Sequence, residues 1–412
     1  MRKIADYDVS GKKVLVRVDF NCPVENGMIS GDTRIRAHAK TIKELSDRGA
    51  KVIVLSHQGR VGRDDFLNLE QHAKALHRVL GKDVLFVDDI VGNNAQHAIS
   101  KLKNGEILVL DNVRLLKCEI EHPDGDGEIV YHLSKITDYF VLDALSVAHR
   151  NHSSVVGFCR KMPCFVGDIM AAEIDAVDKV RHGTDVTFIL GGSKVDDSFK
   201  IMSTWLSNGK AKEVLVGGAL AVLLLRANGY NVGESENYLK NSNLSDKIPK
   251  AKELLDKFDG KIVLPIDVGL SIRTENPTDG SSIITREDVL ISNINKGQIW
   301  DVGDATIKKC HDIINNSHYI VMNGPLGVYE IDDFARGTKK ILESIANCDA
   351  FSLIGGGHTI TAIDKFGINS NHFSYVSLSG KALIKYICGE ELCGITALEE
   401  NEKKFPIYKS NK

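Results

Sequence analysis

The stretch KVLVRVDFN (13–21) decides the fold, because an unalternating apolar run ends there in a polar turn. Such runs are typical of strands buried on both faces of a parallel sheet. Amphipathic spacers such as TRIRAHAKTIKELSDRG (33–49) follow them and predict crossover helices. The pattern therefore predicts an α/β protein with doubly wound parallel sheets. The other apolar runs are KVIVLS (51–56), EILVLD (106–111), YFVLDA (139–144), TFILGG (187–192), EVLVGG (213–218), KIVLPIDV (261–268), YIVMNG (319–324), AFSLIGG (350–356) and FSYVS (373–377).

The domain organisation follows from the length of the chain and from one helical stretch. A chain of 412 residues is long enough for two or three domains. The segment AAEIDAVDKVRHGT (171–184) has helical spacing and leads to the next apolar run without an intervening strand. We therefore predict a first domain at 1–168, a connecting helix and hinge at 169–186, a second domain at 187–388 and a tail at 389–412.

Composition excludes several classes of partner. A formal net charge of −3 gives no overall attraction to nucleic acid or to a membrane surface. The most apolar stretch, VLVGGALAVLLL (214–225), is shorter than the roughly 20 residues that span a bilayer. The eight cysteines include no C-x-x-C pair and no zinc-ligand spacing, so we interpret them as free thiols. These features predict a soluble, cytoplasmic protein.

Arginines and histidines follow the apolar runs in the first half of the chain. The carboxyl ends of parallel strands meet at one edge of a sheet, so these side chains should converge there. Their mutual repulsion would be relieved by an anion or by carboxylates, which predicts a site for a small, multiply anionic ligand. The turns are VRVDFN (16–21), LSHQGR (55–60), LDNVR (110–114) and LDALSVAHRNH (142–152). The converging arginines are Arg34, Arg60, Arg114 and Arg150.

Other residues of these turns have more than one interpretation. Asp19 could orient an arginine or accept a hydrogen bond from a substrate hydroxyl, and we expect both. His57 and His149 could face a ligand or be interior histidines with satisfied hydrogen bonds, and the second interpretation is favoured for His149. His149 and His152 have i, i+3 spacing without a third ligand nearby in sequence, so no metal site is predicted there.

Paired or tripled glycines follow the apolar runs of the second half. Glycine lets backbone N–H groups approach a phosphate closely, and a helix N-terminus favours negative charge, so the turns predict a nucleotide site. Lys194 could contact a transferring phosphoryl group or be a surface lysine; Glu330 could accept from ribose hydroxyls or be a helix-start glutamate. The fingerprints of P-loop NTPases and of dinucleotide-binding dehydrogenases are absent. The turns are GGSK (191–194), GGA (217–219), GPLG (324–327) and GGGHT (355–359).

Seven motifs resemble those of the phosphoglycerate kinase family, in its archaeal form, in the same order and across nearly the whole chain. RVDFN and AHR-x-H are the specific ones, whereas the short glycine-rich pieces would not suffice separately. The motifs are VLVRVDFNCPV (14–24), GDTRIRA (31–37), LSHQGR (55–60), DALSVAHRNHSS (143–154), LGGSKVDD (190–197), NGPLGVYE (323–330) and GGGHT (355–359).

The resemblance implies reversible phosphoryl transfer between 1,3-bisphosphoglycerate and ADP, giving 3-phosphoglycerate and ATP, in glycolysis and gluconeogenesis. It also implies two doubly wound domains, with the C-terminal segment returning to the first. 3-Phosphoglycerate would bind the first domain, and ADP or ATP with Mg²⁺ the second. Because the ligands bind different domains, we expect a hinge-bending closure that brings them together. A monomer is favoured, with a homodimer as the alternative.

The resemblance further implies roles for individual residues. The substrate-binding residues would be Asp19, Phe20, Asn21, Arg34, His57, Gln58, Gly59, Arg60, Arg114 and Arg150. The nucleotide-binding residues would be Gly191, Gly192, Lys194, Gly217, Gly218, Asn323, Pro325, Gly327, Glu330, Gly355, Gly356, Gly357, His358 and Thr359. The catalytic residues would be Arg34, Lys194, Gly357 and Gly380.

The chain departs from the family pattern at three positions. His358 stands where a magnesium-binding aspartate is common, Ser198 where a second lysine is usual, and Lys381 where a glycine is usual. Mg²⁺ would then be held by nucleotide phosphates and water, or by a carboxylate such as Asp197. The alternative function is a non-catalytic paralogue that binds nucleotide and phosphoglycerate, supported by His358 and Ser198.

Overall fold

Two compact units make up the described chain, each with its own parallel sheet. The first consists of Met1–Asp175 together with the chain from Glu390 onward, and the second is Ala176–Gly389. The division falls within the helix Asp168–His182. The computed structural model describes residues 1–122, 127–275 and 282–407.

The strands of the first unit form one parallel sheet and one small hairpin. In chain order they are β1 (Lys13–Arg17), β2 (Val24–Glu25), β3 (Met28–Ile29), β4 (Lys51–Leu55), β5 (Val84–Phe86), β6 (Ile107–Val109), β7 (Tyr139–Leu142) and β8 (Cys164–Val166). The sheet order is β5-β6-β4-β1-β7-β8, and all its pairs are parallel. Its central strands are buried on both faces, as the unalternating apolar runs predict.

Helices connect these strands. They are α1 (Thr33–Asp47), α2 (Glu70–Leu80), α3 (Asn93–Lys101), α4 (Cys118–Glu121), α5 (Glu128–Leu133), α6 (Ser153–Val156) and α7 (Asp168–His182), with 3-10 turns at Ile4–Asp6, Val113–Leu115, Leu145–Val147 and Gly157–Arg160. The predicted helix at 33–49 is α1, whose buried face includes Ile35, Ile42 and Leu45 at the expected spacing.

The second unit contains a parallel sheet and a smaller antiparallel one. Its strands are β9 (Val186–Leu190), β10 (Ala211–Val216), β11 (Ile262–Val263), β12 (Asp267–Glu275), β13 (Ser282–Leu290), β14 (Gln298–Val302), β15 (Tyr319–Asn323), β16 (Phe351–Gly355) and β17 (Tyr375–Val376). The parallel order is β11-β10-β9-β15-β16-β17, and the antiparallel order is β13-β12-β14. The two doubly wound sheets confirm the predicted fold class.

One predicted strand is wrong in detail. The run KIVLPIDV (261–268) is not one strand, because β11 ends at Val263 and β12 begins at Asp267. Pro265 lies between them, and proline has no backbone N–H to donate to a sheet. The second half of the run belongs to the antiparallel sheet, which the sequence did not predict.

The helices of the second unit cover its parallel sheet. They are α8 (Val195–Ser207), α9 (Gly218–Ala227), α10 (Ser235–Asn241), α11 (Ile248–Lys257), α12 (Asp304–Asn315), α13 (Arg336–Ala346), α14 (Gly357–Lys365) and α15 (Lys381–Ile387), with 3-10 turns at Ser245–Lys247, Ile291–Asn293, Asp332–Phe334 and Ser370–His372. Among the described helices, none is long and apolar enough to cross a membrane.

The last helix, α16 (Cys393–Lys404), packs on the first unit. Its buried Asn401 donates hydrogen bonds to the carbonyl oxygens of Cys159 (2.6 Å) and Met162 (2.8 Å) and accepts one from the N–H of Cys164 (2.8 Å). These bonds satisfy backbone groups that burial would otherwise leave unpaired. The C-terminal segment therefore returns to the first unit, as predicted.

Each parallel sheet changes winding direction between two neighbouring strands. In the first sheet the two strands are β1 and β7, and in the second they are β9 and β15. Ligands of open α/β sheets bind beyond the carboxyl ends of the strands at such a point. The basic turns after β1 and β7 and the glycine turns after β9 and β15 therefore lie where ligands are expected.

Candidate active site

Asp19 is the centre of the polar cluster beyond β1. Its Oδ2 accepts hydrogen bonds from Arg34 Nη1 and from Ser146 Oγ (2.5 Å), and its Oδ1 accepts one from the N–H of Asn21 (3.0 Å). Burial alone would raise the pKa of Asp19, but the charge of Arg34 and these hydrogen bonds outweigh it and lower the pKa. Asp19 is therefore ionised and orients Arg34, which is one of the two roles expected for it.

His57 lies between two guanidinium groups at the end of β4. Its Nδ1 is 3.2 Å from Nη2 of Arg17, and its Nε2 is 3.5 Å from Nη1 of Arg150. Burial lowers the pKa of His57 well below its ordinary value, against the charge of Asp19, and neighbouring arginines lower it further. The ring is therefore neutral near pH 7. Arg17 and Arg150 can both only donate, and a neutral ring has one acceptor nitrogen, so the shorter distance to Arg17 assigns Nδ1 as the acceptor. The ring proton is then on Nε2, where it can be donated to an anion, and the 3.5 Å separation from Arg150 is not a hydrogen bond.

The predicted arginines come together around this histidine. Burial lowers the pKa of Arg150, and the charges of Arg60 and Arg34 lower it further. Burial also lowers the pKa of Arg114 to about 10, with Arg150 and Arg17 adding to the effect. Each of these guanidinium groups disfavours the protonated form of its neighbours, so positive charge is in excess in this region. That electrostatic environment suits a multiply charged anion.

Hydrogen bonds hold the loops around the cluster. The side chain of Asn21 accepts from the N–H of Gly59 (2.8 Å), and the carbonyl oxygen of Gly59 accepts from Arg114 Nη1. Gly59 has φ +65°, and a Cβ atom there would lie 2.1 Å from the carbonyl oxygen of Asp65. The side chains of Phe20 and Gln58 are fully buried. Those two predicted residues therefore support the loops.

Sequence reasoning missed Arg17 and Ser146 in this cluster. Arg17 is the last residue of β1 and is 1% exposed, although an arginine in an apolar run is ordinarily taken as a polar interruption. Its position directly before VDFN is the sequence feature that could have assigned Arg17 to the site. Ser146 lies in a 3-10 turn after β7, and the sequence alone gives no sign that its hydroxyl reaches Asp19.

In the second unit the glycine turns pack backbone against backbone. The N–H of Gly192 donates to the carbonyl oxygen of Pro325 (2.7 Å), and the N–H of Gly218 donates to that of Leu326 (2.8 Å). A Cβ atom at Gly191 would lie 2.1 Å from the carbonyl oxygen of Pro325. The amides of Gly192 and Gly218 are thus used within the protein. These glycines permit close packing of the turns, which differs from the phosphate contact expected from the sequence.

The turn before α14 keeps its amides available. Gly356 has φ +90°, and α14 begins at Gly357. The N–H of Thr359 already donates to the carbonyl oxygen of Gly356 (3.1 Å), so the amides that precede the hydrogen bonds of the helix are those of Gly357 and His358. Thr359 stabilises the turn by accepting a hydrogen bond from the N–H of Gly324 (2.9 Å), while Gly357 and His358 are exposed. This helix N-terminus has the donors and the dipole that favour a phosphate, as the motif GGGHT predicts.

A cleft of about 220 Å³ lies beside these turns. Its lining includes the predicted residues Gly192, Gly218, Pro325, Gly327, Glu330 and His358. It also includes Tyr238, Gln298 and Trp300, which the sequence analysis missed because they belong to α10 and to the unpredicted strand β14. Aromatic walls with a few polar groups are typical of a site for a heterocyclic ligand.

The remaining predicted residues lie around the same edge. Gly191 and Gly217 belong to the packed turns, and Asn323 and Gly355 end β15 and β16. Lys194 is exposed directly before α8, and Gly380, with φ +50°, directly precedes α15. His358 is 69% exposed, with its Nδ1 3.9 Å from Glu330 Oε1. Its imidazole therefore faces a carboxylate as well as the cleft.

The side chains that could bind a metal ion are single carboxylates. Among the described residues, no group of three or more His, Cys, Asp or Glu side chains is arranged to hold a metal ion. Single carboxylates such as Asp197, partly exposed in the first turn of α8, remain. This set fits Mg²⁺, which usually retains water and binds through one or two carboxylates and substrate phosphates.

The two sites together define a class of enzyme. An arginine cluster around a neutral histidine suits a small phosphorylated anion, and a cleft between glycine turns and aromatic rings suits a nucleotide. These are the parts of a nucleotide-dependent phosphotransferase built from two doubly wound units.

Comparison with known proteins identifies the family. The family model for phosphoglycerate kinase matches residues 4–390. A phosphoglycerate kinase of Methanothermus fervidus is 40% identical over 412 residues, covering 98% of each chain. The crystal structure of phosphoglycerate kinase from Pyrococcus horikoshii OT3 is similar with a TM-score of 0.90 and 35% identity, covering 98% of this chain and 100% of that one. The corresponding structure from Coxiella burnetii has a TM-score of 0.81 and 27% identity, with coverage of 97% and 98%.

The chain belongs to the phosphoglycerate kinase family. It is an enzyme that transfers a phosphoryl group reversibly between 1,3-bisphosphoglycerate and ADP, giving 3-phosphoglycerate and ATP, in glycolysis. The family and function inferred from the seven motifs are thereby confirmed, and nothing favours the non-catalytic alternative.

Proposed function

We propose that the first unit binds 3-phosphoglycerate through the arginine cluster. The non-transferred phosphate contacts Arg60, Arg114 and Arg150 and accepts a hydrogen bond from Nε2 of His57. The observation that carries this proposal is the unbalanced positive charge around a neutral, buried His57. A phosphate dianion would offset the mutual repulsion that, after burial, lowers the pKa values of Arg114 and Arg150.

The other end of the glycerate lies by the turn after β1. Asp19 accepts from the substrate hydroxyl and Asn21 contacts the carboxyl end, while Phe20, Gln58 and Gly59 contribute through the backbone of the loops. Arg34 is oriented by Asp19 toward the transferring phosphoryl group. An ionised Asp19 suits both tasks, because a carboxylate only accepts hydrogen bonds.

The second unit, we propose, binds ADP or ATP in the cleft beside the glycine turns. Phosphates contact the N-terminus of α14 and the ammonium of Lys194, and the ribose hydroxyls donate to Glu330. Gly357 and Gly380 allow the transferring group to approach the backbone. Gly192, Gly218, Pro325, Gly327 and His358 line this cleft. The lining is held in place by the neighbouring turn and strand-end residues Gly191, Gly217, Asn323, Gly355, Gly356 and Thr359.

The chemistry needs positioning and positive charge more than a strong base. In ATP synthesis an ADP phosphate oxygen attacks the acyl phosphate, and in the reverse direction the attacking carboxylate is already ionised near pH 7. Charge on the equatorial oxygens of the transferring group is offset by Arg34, Lys194 and the N–H groups of α14. Mg²⁺ would be held by nucleotide phosphates, water and Asp197, and when bound it would neutralise phosphate charge.

Closure of the domains is part of the proposal. We propose that residues 1–168 with the tail 389–412 carry the phosphoglycerate, that 187–388 carry the nucleotide, and that the connection at 169–186 acts as a hinge. Closure would exclude water, which otherwise hydrolyses the acyl phosphate. We expect X-ray scattering to give a smaller radius of gyration with 3-phosphoglycerate and ATP together than with either alone. An unchanged radius with both ligands would contradict rigid-body closure.

We propose that the protein acts as a monomer in the cytoplasm. Both proposed sites lie on one polypeptide, so a monomer is sufficient for the reaction. The described cysteines form no disulfides with one another, which suits a reducing cytoplasm.

Arg114→Ala tests the assignment of the phosphate site. We expect the Kd for 3-phosphoglycerate, measured by titration calorimetry, to rise about a hundredfold because a charge-assisted contact is lost, while the Kd for ATP is unchanged. Arg78→Ala, an exposed arginine of α2, removes the same charge and should alter neither value. Equal weakening of both ligands by Arg114→Ala would contradict the assignment.

A further inference from the structure

Glu119 is a fully buried carboxylate that the mechanism above does not use. It lies in α4 and is 0% exposed. Its Oε2 accepts a hydrogen bond from the N–H of Ser154 (2.9 Å), and its Oε1 accepts one from Ser154 Oγ (2.6 Å) and lies 3.5 Å from Nδ1 of His152. A buried carboxylate is costly unless it is paired and hydrogen-bonded. Its charge must therefore be balanced nearby.

The balancing charges are those of the arginine cluster. Ser154 Oγ accepts from Arg17 Nε (2.8 Å), so a chain of hydrogen bonds runs from Glu119 through Ser154 to Arg17 and on to His57. Glu119 also acts by charge, because it raises the pKa values of Arg17, Arg114 and Arg150 against the lowering effect of burial. One carboxylate thus faces the same arginines that an incoming phosphate would contact.

We propose that Glu119 is a positioning residue that holds Arg17 and weakens the binding of phosphoglycerate by partly neutralising the arginine cluster. The proposal rests on the function proposed for that cluster. Glu119 is buried behind Ser154, so it acts on the ligand through the arginines and through its charge. A triply charged ligand in a cluster of several arginines would otherwise leave slowly, since affinity differences appear mainly in the dissociation rate. Glu119 therefore sets the affinity at a level that permits release.

The sign of the effect distinguishes this role from simple support of the fold. Glu119→Gln keeps the volume and one oxygen that can accept a hydrogen bond from Ser154, but it removes the charge. We expect the Kd for 3-phosphoglycerate to fall about tenfold at low ionic strength, and the difference to shrink as salt screens the charges. The KM for 3-phosphoglycerate should fall in parallel, while the KM for ATP is unchanged. A merely structural role predicts weaker binding.

Matched variants complete the test on the full-length protein. Glu121→Gln removes an exposed carboxylate two residues away and should leave the Kd unchanged. Ser154→Ala keeps the charge of Glu119 but breaks its link to Arg17, and should leave binding equal or weaker. If Glu119→Gln does not fold, Glu119→Met removes the same charge at similar volume and should also tighten binding.

Each outcome bears on one proposal. Tighter binding by Glu119→Gln or Glu119→Met alone supports the role of its charge. Unchanged or weaker binding by Glu119→Gln, or by Glu119→Met where Glu119→Gln does not fold, overturns it. A comparable fall in the Kd for Ser154→Ala or Glu121→Gln also overturns it. Arg114→Ala tests the proposed phosphate site separately. If Arg114→Ala binds 3-phosphoglycerate with a normal Kd, the assignment of the arginines is contradicted. If Arg114→Ala binds more weakly but Glu119→Gln does not bind more tightly, only the proposed role of Glu119 is contradicted.

Discussion

Arg34→Ala is expected to lower kcat about a thousandfold while changing the Kd for 3-phosphoglycerate and the KM for ATP by less than about tenfold. The proposed role of Arg34 is to offset charge that develops on the transferring phosphoryl group, and such contacts act mainly in the transition state. A thousandfold loss corresponds to about 4 kcal/mol of transition-state stabilisation. Steady-state kinetics in both directions, with direct titration of each ligand, would measure this division.

The control for that variant is Arg36→Ala. Arg36 lies in the same helix, its side chain is 65% exposed and it pairs with Asp32 at 2.8 Å, so its loss should leave kcat within about twofold. Arg34→Lys keeps the charge but loses the two-pronged geometry, and we expect an intermediate kcat. A kcat for Arg34→Ala within threefold of the wild type would contradict the proposed role.

Gly191→Ala is expected to destabilise the second unit by about 3 kcal/mol and to weaken nucleotide binding. The added Cβ would lie 2.1 Å from the carbonyl oxygen of Pro325, so two backbone turns would have to separate. Separation would also lengthen the hydrogen bond from the N–H of Gly192 to that oxygen. Urea unfolding followed by tryptophan fluorescence reports this unit, because Trp205 and Trp300, the only tryptophans of the chain, both belong to it.

Gly357→Ala is the matched control for stability. A Cβ there meets no atom within 4 Å, and its backbone is in an ordinary helical conformation, so the unfolding midpoint should change little. If Gly191→Ala unfolds at the same urea concentration as the wild type, the close packing of the turns does not hold the nucleotide site in shape.

The fold could be predicted because its strands carry a strong local signal. The run at 13–18 is apolar without alternation, and β1 is accordingly buried in the centre of a parallel sheet. The antiparallel sheet had no comparable signal. In β13 the apolar and polar residues do not alternate in a way that predicts a half-buried strand. Pro265 interrupts the run at 261–268, which otherwise has the pattern of one strand.

The candidate site could be predicted less completely, since its residues are brought together by packing. Residue type and position identified Arg34, Arg114 and Arg150 at the strand ends. The position of Arg17 directly before VDFN places it near the turn, but the contact of Arg17 with His57 depends on the register of β1 and β4 and could not be predicted. The glycine turns were located correctly, but whether an amide faces a ligand or a neighbouring turn depends on tertiary packing.

The most direct test of phosphoryl transfer by this protein is ATP-dependent phosphorylation of 3-phosphoglycerate by the purified full-length protein. The reaction is coupled to NADH oxidation through glyceraldehyde-3-phosphate dehydrogenase and is measured with and without Mg²⁺. We expect robust turnover that requires Mg²⁺, although His358 stands at the position where the family commonly has an aspartate. Nucleotide binding without turnover under the same conditions would contradict it.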